Sequence, residues 1–226
     1  MNSFYISPAS ITPTRVAKCV AIGFVFWIGF LILSPFPHYL PPDFEYGFLS
    51  NKADYFYRSG YFIGFYLHIA GAPIGLFVGG LQMSRTVRER YPWVHRFAGT
   101  VYVTAVLVAA APGGFIMSMK AFGGWSTTLC FGLLAVATWW STLIGWRAGR
   151  RFDFLRHRNW MLRSYVLLLS AVVLRLGHFA LRTLQLTPEL TYQIAAWVSW
   201  VIPLIALELA LGIYGQPTLR RGDRGV

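Results

Sequence analysis

Residues 61–83 read YFIGFYLHIAGAPIGLFVGGLQM, a stretch without a single Asp, Glu, Lys or Arg. A helix needs about 20 mostly apolar residues to cross ~30 Å of hydrocarbon, so this stretch predicts a transmembrane helix. Five other stretches are of similar length and character. The six predicted spans, numbered one to six in chain order, are residues 16–33, 61–83, 94–117, 123–146, 159–180 and 191–214.

The composition of the whole chain agrees with this pattern. Of its 226 residues, 56% are hydrophobic and only 12% are charged, and the mean hydropathy is +0.51. A soluble domain of this length is far less apolar. We therefore predict an all-α fold, a polytopic membrane helix bundle of six transmembrane helices. Residues 1–226 form a single integral membrane domain, because the connectors leave no room for a soluble one.

The basic residues are divided unevenly between the two sides of the predicted spans. The formal net charge is +12, and fifteen of the twenty Lys and Arg residues fall on one side. Positive charge is retained on the cytoplasmic side of a membrane, so both termini are predicted to be cytoplasmic. The fifteen are Arg15, Lys18, Arg85, Arg88, Arg90, Arg96, Arg147, Arg150, Arg151, Arg156, Arg158, Arg163, Arg220, Arg221 and Arg224.

The positive charge also bears on the partners of the chain. Cationic segments beside a span attract anionic lipid headgroups, so we expect the lipid bilayer itself to be a partner. Nucleic acid is not expected, because the aromatic residues belong to the spans and to the interfacial belts.

Span two carries a glycine stripe at Gly71, Gly75 and Gly79. Small residues four apart let two helix backbones approach closely in lipid, so helix packing is the favoured interpretation. The same bare face would admit a flat cofactor. It would also suit a second membrane subunit that packs against span two.

Four histidines form two candidate pairs at different depths. The outer pair is His68 and His178, near one side of the membrane, and the inner pair is His95 and His157, at the cytoplasmic boundary. Membrane cytochromes hold b-type haem between histidines from two helices. The alternative is that these histidines form hydrogen bonds between helices.

Basic residues near each pair would suit haem propionates, because a guanidinium pairs with a carboxylate through two hydrogen bonds. Arg175 lies at the depth of the outer pair, and Arg163 lies nearer the inner pair. Glu208 is predicted at the depth of Arg163, which favours a structural ion pair between them. The functional alternative makes Glu208 a proton or cation site.

Enzymatic residues are not evident in the sequence. It has no nucleotide-binding loop, no Ser-His-Asp order and no His-Glu-x-x-His motif. We predict no catalytic residue and no metal other than a haem iron held by His68 and His178.

Three stretches together resemble the bacterial membrane protein family catalogued as domain of unknown function 2306, from about Tyr61 to Glu208. The resemblance implies a multi-span helical protein, here of the bacterial inner membrane, and implies no activity. The stretches are Phe65-Tyr-Leu-His68-Ile, Arg88-x-Arg90-Tyr91-Pro92-x-x-His95-Arg96-x-x-Gly99-x-x-Tyr102 and His157-Arg158-Asn-Trp160-Met161-x-Arg163-Ser164-Tyr165.

Three functions follow from these patterns as hypotheses. The first is an electron carrier with b-type haem held between two histidines. The second is a non-enzymatic accessory subunit that joins a larger membrane complex through the glycine stripe of span two. The third is a small-ligand or proton-coupled transporter that uses Arg175 and Glu208.

Overall fold

A computed structural model describes residues 27–58 and 60–214 of the chain. The chain divides into two compact units, residues 1–53 and 54–226. Most of the predicted span one lies outside the described residues, and its last part, residues 27–33, is helical. Whether span one crosses a membrane therefore stays a prediction.

The first unit contains only short turns beyond residue 33. They are the 3-10 turns Phe36–His38 and Gly47–Leu49. Prolines at the start of this segment prevent a longer helix, because each lacks a backbone N–H. Here His38 Nδ1 lies 3.2 Å from Asp43 Oδ2, and the imidazole stacks on the ring of Tyr46.

The second unit confirms the helical prediction for spans two to six. It contains five helices that are long and apolar enough to cross a membrane. The part of the chain that is described contains no β-strand. The five helices are Tyr61–Gln82, Pro92–Ser118, Trp125–Arg150, Phe154–Leu184 and Pro188–Ile213.

Spans four and five extend further toward their connector than predicted. Span four continues to Arg150, because arginine is a good helix former and is favourable beside a helix C-terminus. Span five begins at Phe154, where Asp153 Oδ1 accepts a hydrogen bond from the backbone N–H of Arg156. The hydrophobic core of the bilayer sets the apolar length of a helix, whereas capping and charge set where the helix ends.

Consecutive spans run antiparallel, so their ends form two groups. The end that contains Gln82, Pro92, Arg150 and Phe154 is called the arginine-rich end, and the opposite end is called the far end. Assignment of the arginine-rich end to the cytoplasm stays a prediction.

The glycine stripe of span two faces helices of the same chain. A Cβ at Gly71 would lie 2.7 Å from the backbone N of Ala110 in span three. One at Gly75 would lie 2.9 Å from a methyl group of Leu168, and one at Gly79 would lie 2.5 Å from the ring of Tyr165. The stripe therefore receives spans three and five.

Span three is interrupted by a π-helical turn, Ala105–Ala110. Pro112 follows this turn and lacks the N–H that would bond a carbonyl one turn earlier. The indole N–H of Trp139 in span four donates to the carbonyl of Leu107 over 3.1 Å. A side chain thus bonds a backbone group that the helix itself leaves open, as lipid requires.

Span five divides at Leu169, where a 3-10 hydrogen bond joins the N–H of Val172 to the Leu169 carbonyl. The first part, Phe154–Leu168, packs on spans two, four and six. The second part, Ser170–Leu181, packs mainly on span six and, in the described chain, makes no extensive contact with spans two, three or four. We call the resulting gap between span two and Ser170–Leu181 the outer cleft.

A chain of buried hydroxyl groups joins spans three, four and five. Thr142 Oγ1 donates to the Thr138 carbonyl over 2.7 Å, so it must accept from Ser164 Oγ at 2.6 Å. Ser164 must then accept from the hydroxyl of Tyr102, also at 2.6 Å. Every proton points toward the Thr138 carbonyl, which cannot pass a proton on, so the chain is structural.

We expect Ser164→Ala to lower the free energy of unfolding by about 1–2 kcal/mol, because it removes two interhelical hydrogen bonds and leaves the Tyr102 hydroxyl unpaired. Denaturant unfolding in detergent micelles measures this change. Thr100→Ala is the control, because the exposed Thr100 hydroxyl bonds only the Arg96 carbonyl of its own helix. Equal losses in the two variants would contradict the interpretation.

Candidate functional site

His68 is held in one orientation by span three. Its Nδ1–H donates to the carbonyl of Ala110, the last residue of the π turn, over 2.8 Å. The imidazole lies against Gly114, where a Cβ would come 3.1 Å from Nδ1. Because Nδ1 carries the proton in this bond, the lone pair of a neutral His68 is on Nε2.

Arg175 lies in the second part of span five and is exposed. One terminal nitrogen donates to the carbonyl of Ala171 on the same helix over 2.8 Å. The guanidinium is within electrostatic range of His68 and of Tyr192 in span six. A cation inside an apolar span is costly, and such residues mark functional sites.

His178 lies one helical turn beyond Arg175. Its ring meets that of Tyr192 edge to face, with centroids 5.9 Å apart. Its Nδ1 is buried and has no hydrogen-bond partner among residues 27–58 and 60–214. A buried polar atom without a partner is rare and indicates either a bound water or a ligand.

These four residues form a polar group around the outer cleft, and we call them the outer cluster. Spans two and five contribute the predicted His68, Arg175 and His178. Tyr192 was missed by the sequence analysis. Its position four residues into span six puts it at the depth of His178, which is the signal that would have found it.

The inner pair lies at the arginine-rich end. His157 Nδ1–H donates to the carbonyl of Gly145 over 2.8 Å, and its ring lies against Gly149. His95 is within electrostatic range of His157, and its Nδ1 is buried without a partner in the described chain. The Gln82 amide N–H donates to the His95 carbonyl over 2.8 Å.

The outer and inner pairs thus share one pattern. In each pair, one imidazole is oriented by a backbone carbonyl, and the other has a buried Nδ1 without a partner. Backbone carbonyls commonly orient metal-binding histidines in this way. Groups of three or more metal-ligating side chains do not occur among the described residues, whereas a haem needs only one or two from the protein.

The structure brings Arg163 and Glu208 together. Arg163 Nε and a terminal nitrogen donate to the two carboxylate oxygens over 2.6 and 2.7 Å. The guanidinium also lies over the ring of Trp160, 4.8 Å from its centroid. The two opposite charges are balanced within the chain, so the pair accounts for both ionisable residues by itself.

A family model described as predicted membrane protein (DUF2306) matches residues 65–211, and the chain belongs to this family. The match spans the outer cluster, the inner pair and the ion pair of Arg163 with Glu208. No curated protein and no solved structure gives a significant match.

We expect Arg163→Gln and Glu208→Gln to be coupled in a double-mutant cycle by about 1–2 kcal/mol. The pair is partly shielded, with side-chain exposures of 21% and 46%, so the coupling lies between exposed and buried pairs. Unfolding in detergent of both single variants and the double variant measures it. Additive effects, with no coupling, would show that the pair is not a stabilising unit.

Proposed function

We propose that this member of the DUF2306 family is a membrane electron carrier that binds one b-type haem in the outer cleft, with His68 and His178 as axial ligands. The observation that carries the proposal is the hydrogen bond from His68 Nδ1 to the Ala110 carbonyl. It leaves Nε2 with the lone pair that an iron ligand needs.

The position of His178 supports the second axial ligand. It lies in the part of span five that is separated from span two, and its buried Nδ1 is unpaired in the described chain. A flat ligand requires separated helices on either side of it, and the outer cleft is where two histidine-bearing helices are separated.

Arg175 supports an acidic ligand in the same cleft. Its guanidinium is exposed and is within electrostatic range of His68. Guanidinium groups bind carboxylates strongly when two hydrogen bonds form, and haem carries two propionates. We assign Arg175 to a propionate and Tyr192, beside His178, to the orientation of that imidazole.

A bound haem would supply one-electron redox chemistry. The chain's own residues would hold it and tune it. The Ala110 carbonyl would increase the basicity of His68 by accepting its proton in a hydrogen bond, and the charge of Arg175 would favour the reduced state.

The inner pair offers a second haem position with the same hydrogen-bond pattern. It has less support, because His157 packs directly on Gly149 and because Glu208 engages Arg163. With both positions filled, the chain would conduct electrons across the bilayer.

The two other hypotheses have weaker support. An accessory subunit would need a docking face other than the glycine stripe, because spans three and five cover that stripe. A transporter that uses Glu208 would have to break a bidentate ion pair in each cycle.

We expect the protein, purified in detergent from haem-supplied cells, to show a Soret band and sharp α and β bands after dithionite reduction. His68→Ala and His178→Ala should each lose at least most of the haem, since each removes an axial ligand. His38→Ala is the matched control, because His38 bonds Asp43 in the first unit.

The inner variant His157→Ala separates one haem from two. Unchanged haem content supports a single outer haem, whereas a loss of about half indicates that the inner pair is filled as well. A flat visible spectrum of the parent protein, or full haem content in both outer variants, would overturn the outer-cleft proposal.

A further inference from the structure

The connector between spans four and five carries an unusual density of positive charge. We call residues 147–158, with the sequence RAGRRFDFLRHR, the four–five turn. None of its arginines is ion-paired within the described chain, and its only acidic residue, Asp153, accepts from the backbone N–H of Arg156. The exposed arginines of the turn are Arg147, Arg150, Arg151, Arg156 and Arg158.

The tip of the same turn is apolar and exposed. Phe152, Phe154 and Leu155 are 78%, 67% and 64% exposed. Phe152 has a φ of 59°, a backbone conformation that L residues other than Asn and Asp rarely adopt. A phenylalanine in this conformation at an exposed tip is unfavourable in water, so the tip calls for an apolar environment.

The depth of the turn follows from the tryptophans of span four. Trp125 and Trp146 lie about 31 Å apart along the helix axis, which matches the ~30 Å thickness of the hydrocarbon core. Arg150 is about 6 Å beyond Trp146, within the headgroup layer. Its guanidinium lies over the Trp146 ring at 5.9 Å.

We propose that the four–five turn is a binding site for anionic phospholipids. The arginines would bind headgroup phosphates, because guanidinium pairs with phosphate through parallel hydrogen bonds. Phe152, Phe154 and Leu155 would enter the interface beside them, where aromatic side chains are favoured. The site is independent of any haem.

Two other ligands fit the turn less well. An acidic soluble protein would meet the arginines, but their depth puts them among headgroups. Free phosphate would satisfy the arginines and leave the apolar tip in water. The lipid is the ligand that accounts for both the charge and the exposed rings.

The test is binding of fluorescent phosphatidylglycerol and phosphatidylcholine to the full chain in neutral detergent micelles. We expect the parent protein to prefer phosphatidylglycerol. The triple variant Arg150→Gln/Arg151→Gln/Arg156→Gln should bind it about 100-fold more weakly, because each arginine near an anionic surface contributes roughly fivefold.

The matched control is Arg85→Gln/Arg88→Gln/Arg90→Gln, which removes the same charge at the same end of the bundle. This connector contains an acid, Glu89, that pairs with Arg85 over 2.8 Å. The control should keep most of the preference. Equal losses in the two triple variants would overturn a localised site and indicate a general charge effect.

A second variant, Phe152→Ser/Phe154→Ser, keeps every arginine and tests the apolar tip. We expect about tenfold weaker phosphatidylglycerol binding, together with unchanged sensitivity to salt. Absence of any preference in the parent protein, or full competition by inorganic phosphate, would overturn the proposal. The former result would leave an acidic protein as the ligand of the turn.

Discussion

The direct contact between the backbones of spans two and three is the constraint on which the rest of the bundle depends. A Cβ at Gly113 would lie 2.5 Å from the carbonyl oxygen of Gly64, and Gly71 is equally close to span three. Lipid gives helices no hydrophobic reason to associate, so close van der Waals contact between small residues must supply it. The same approach brings His68 within hydrogen-bond distance of Ala110. Packing and the candidate site therefore have a common origin in glycines.

Hydrogen bonding in a medium without water accounts for most of the remaining polar contacts. Span three opens into a π turn, and side chains of spans two and four bond the carbonyls of Ala110 and Leu107. The hydroxyl chain ends on a carbonyl in the same way. The exceptions within the described residues are Gln82, His95 and His178, each with one unpaired buried atom. All three belong to, or adjoin, a histidine pair, which is why a ligand is proposed there.

Charge is treated differently inside the bundle and at its ends. Arg163 is neutralised by Glu208 within the chain, whereas Arg175 lies in the outer cluster beside histidine and tyrosine. At the arginine-rich end, the five arginines of the four–five turn have no carboxylate partners in the described chain. Lipid headgroups supply negative charge at that depth and not within the hydrocarbon. An unbalanced cation inside the bundle thus indicates a bound anion, and a cluster at the end indicates the membrane surface.

The sequence by itself determined the helical membrane class, spans two to six and the family, because apolar length and local motifs need no knowledge of tertiary contacts. It also predicted the depth match of Arg163 and Glu208, since depth follows from position along a helix. Only the tertiary structure decided which helix covers Gly79, how His68 is oriented and that Tyr192 accompanies His178. These depend on helix rotation, on the π turn and on the break at Leu169. Rotation and bending arise from contacts between residues distant in sequence, which periodicity along one helix cannot fix.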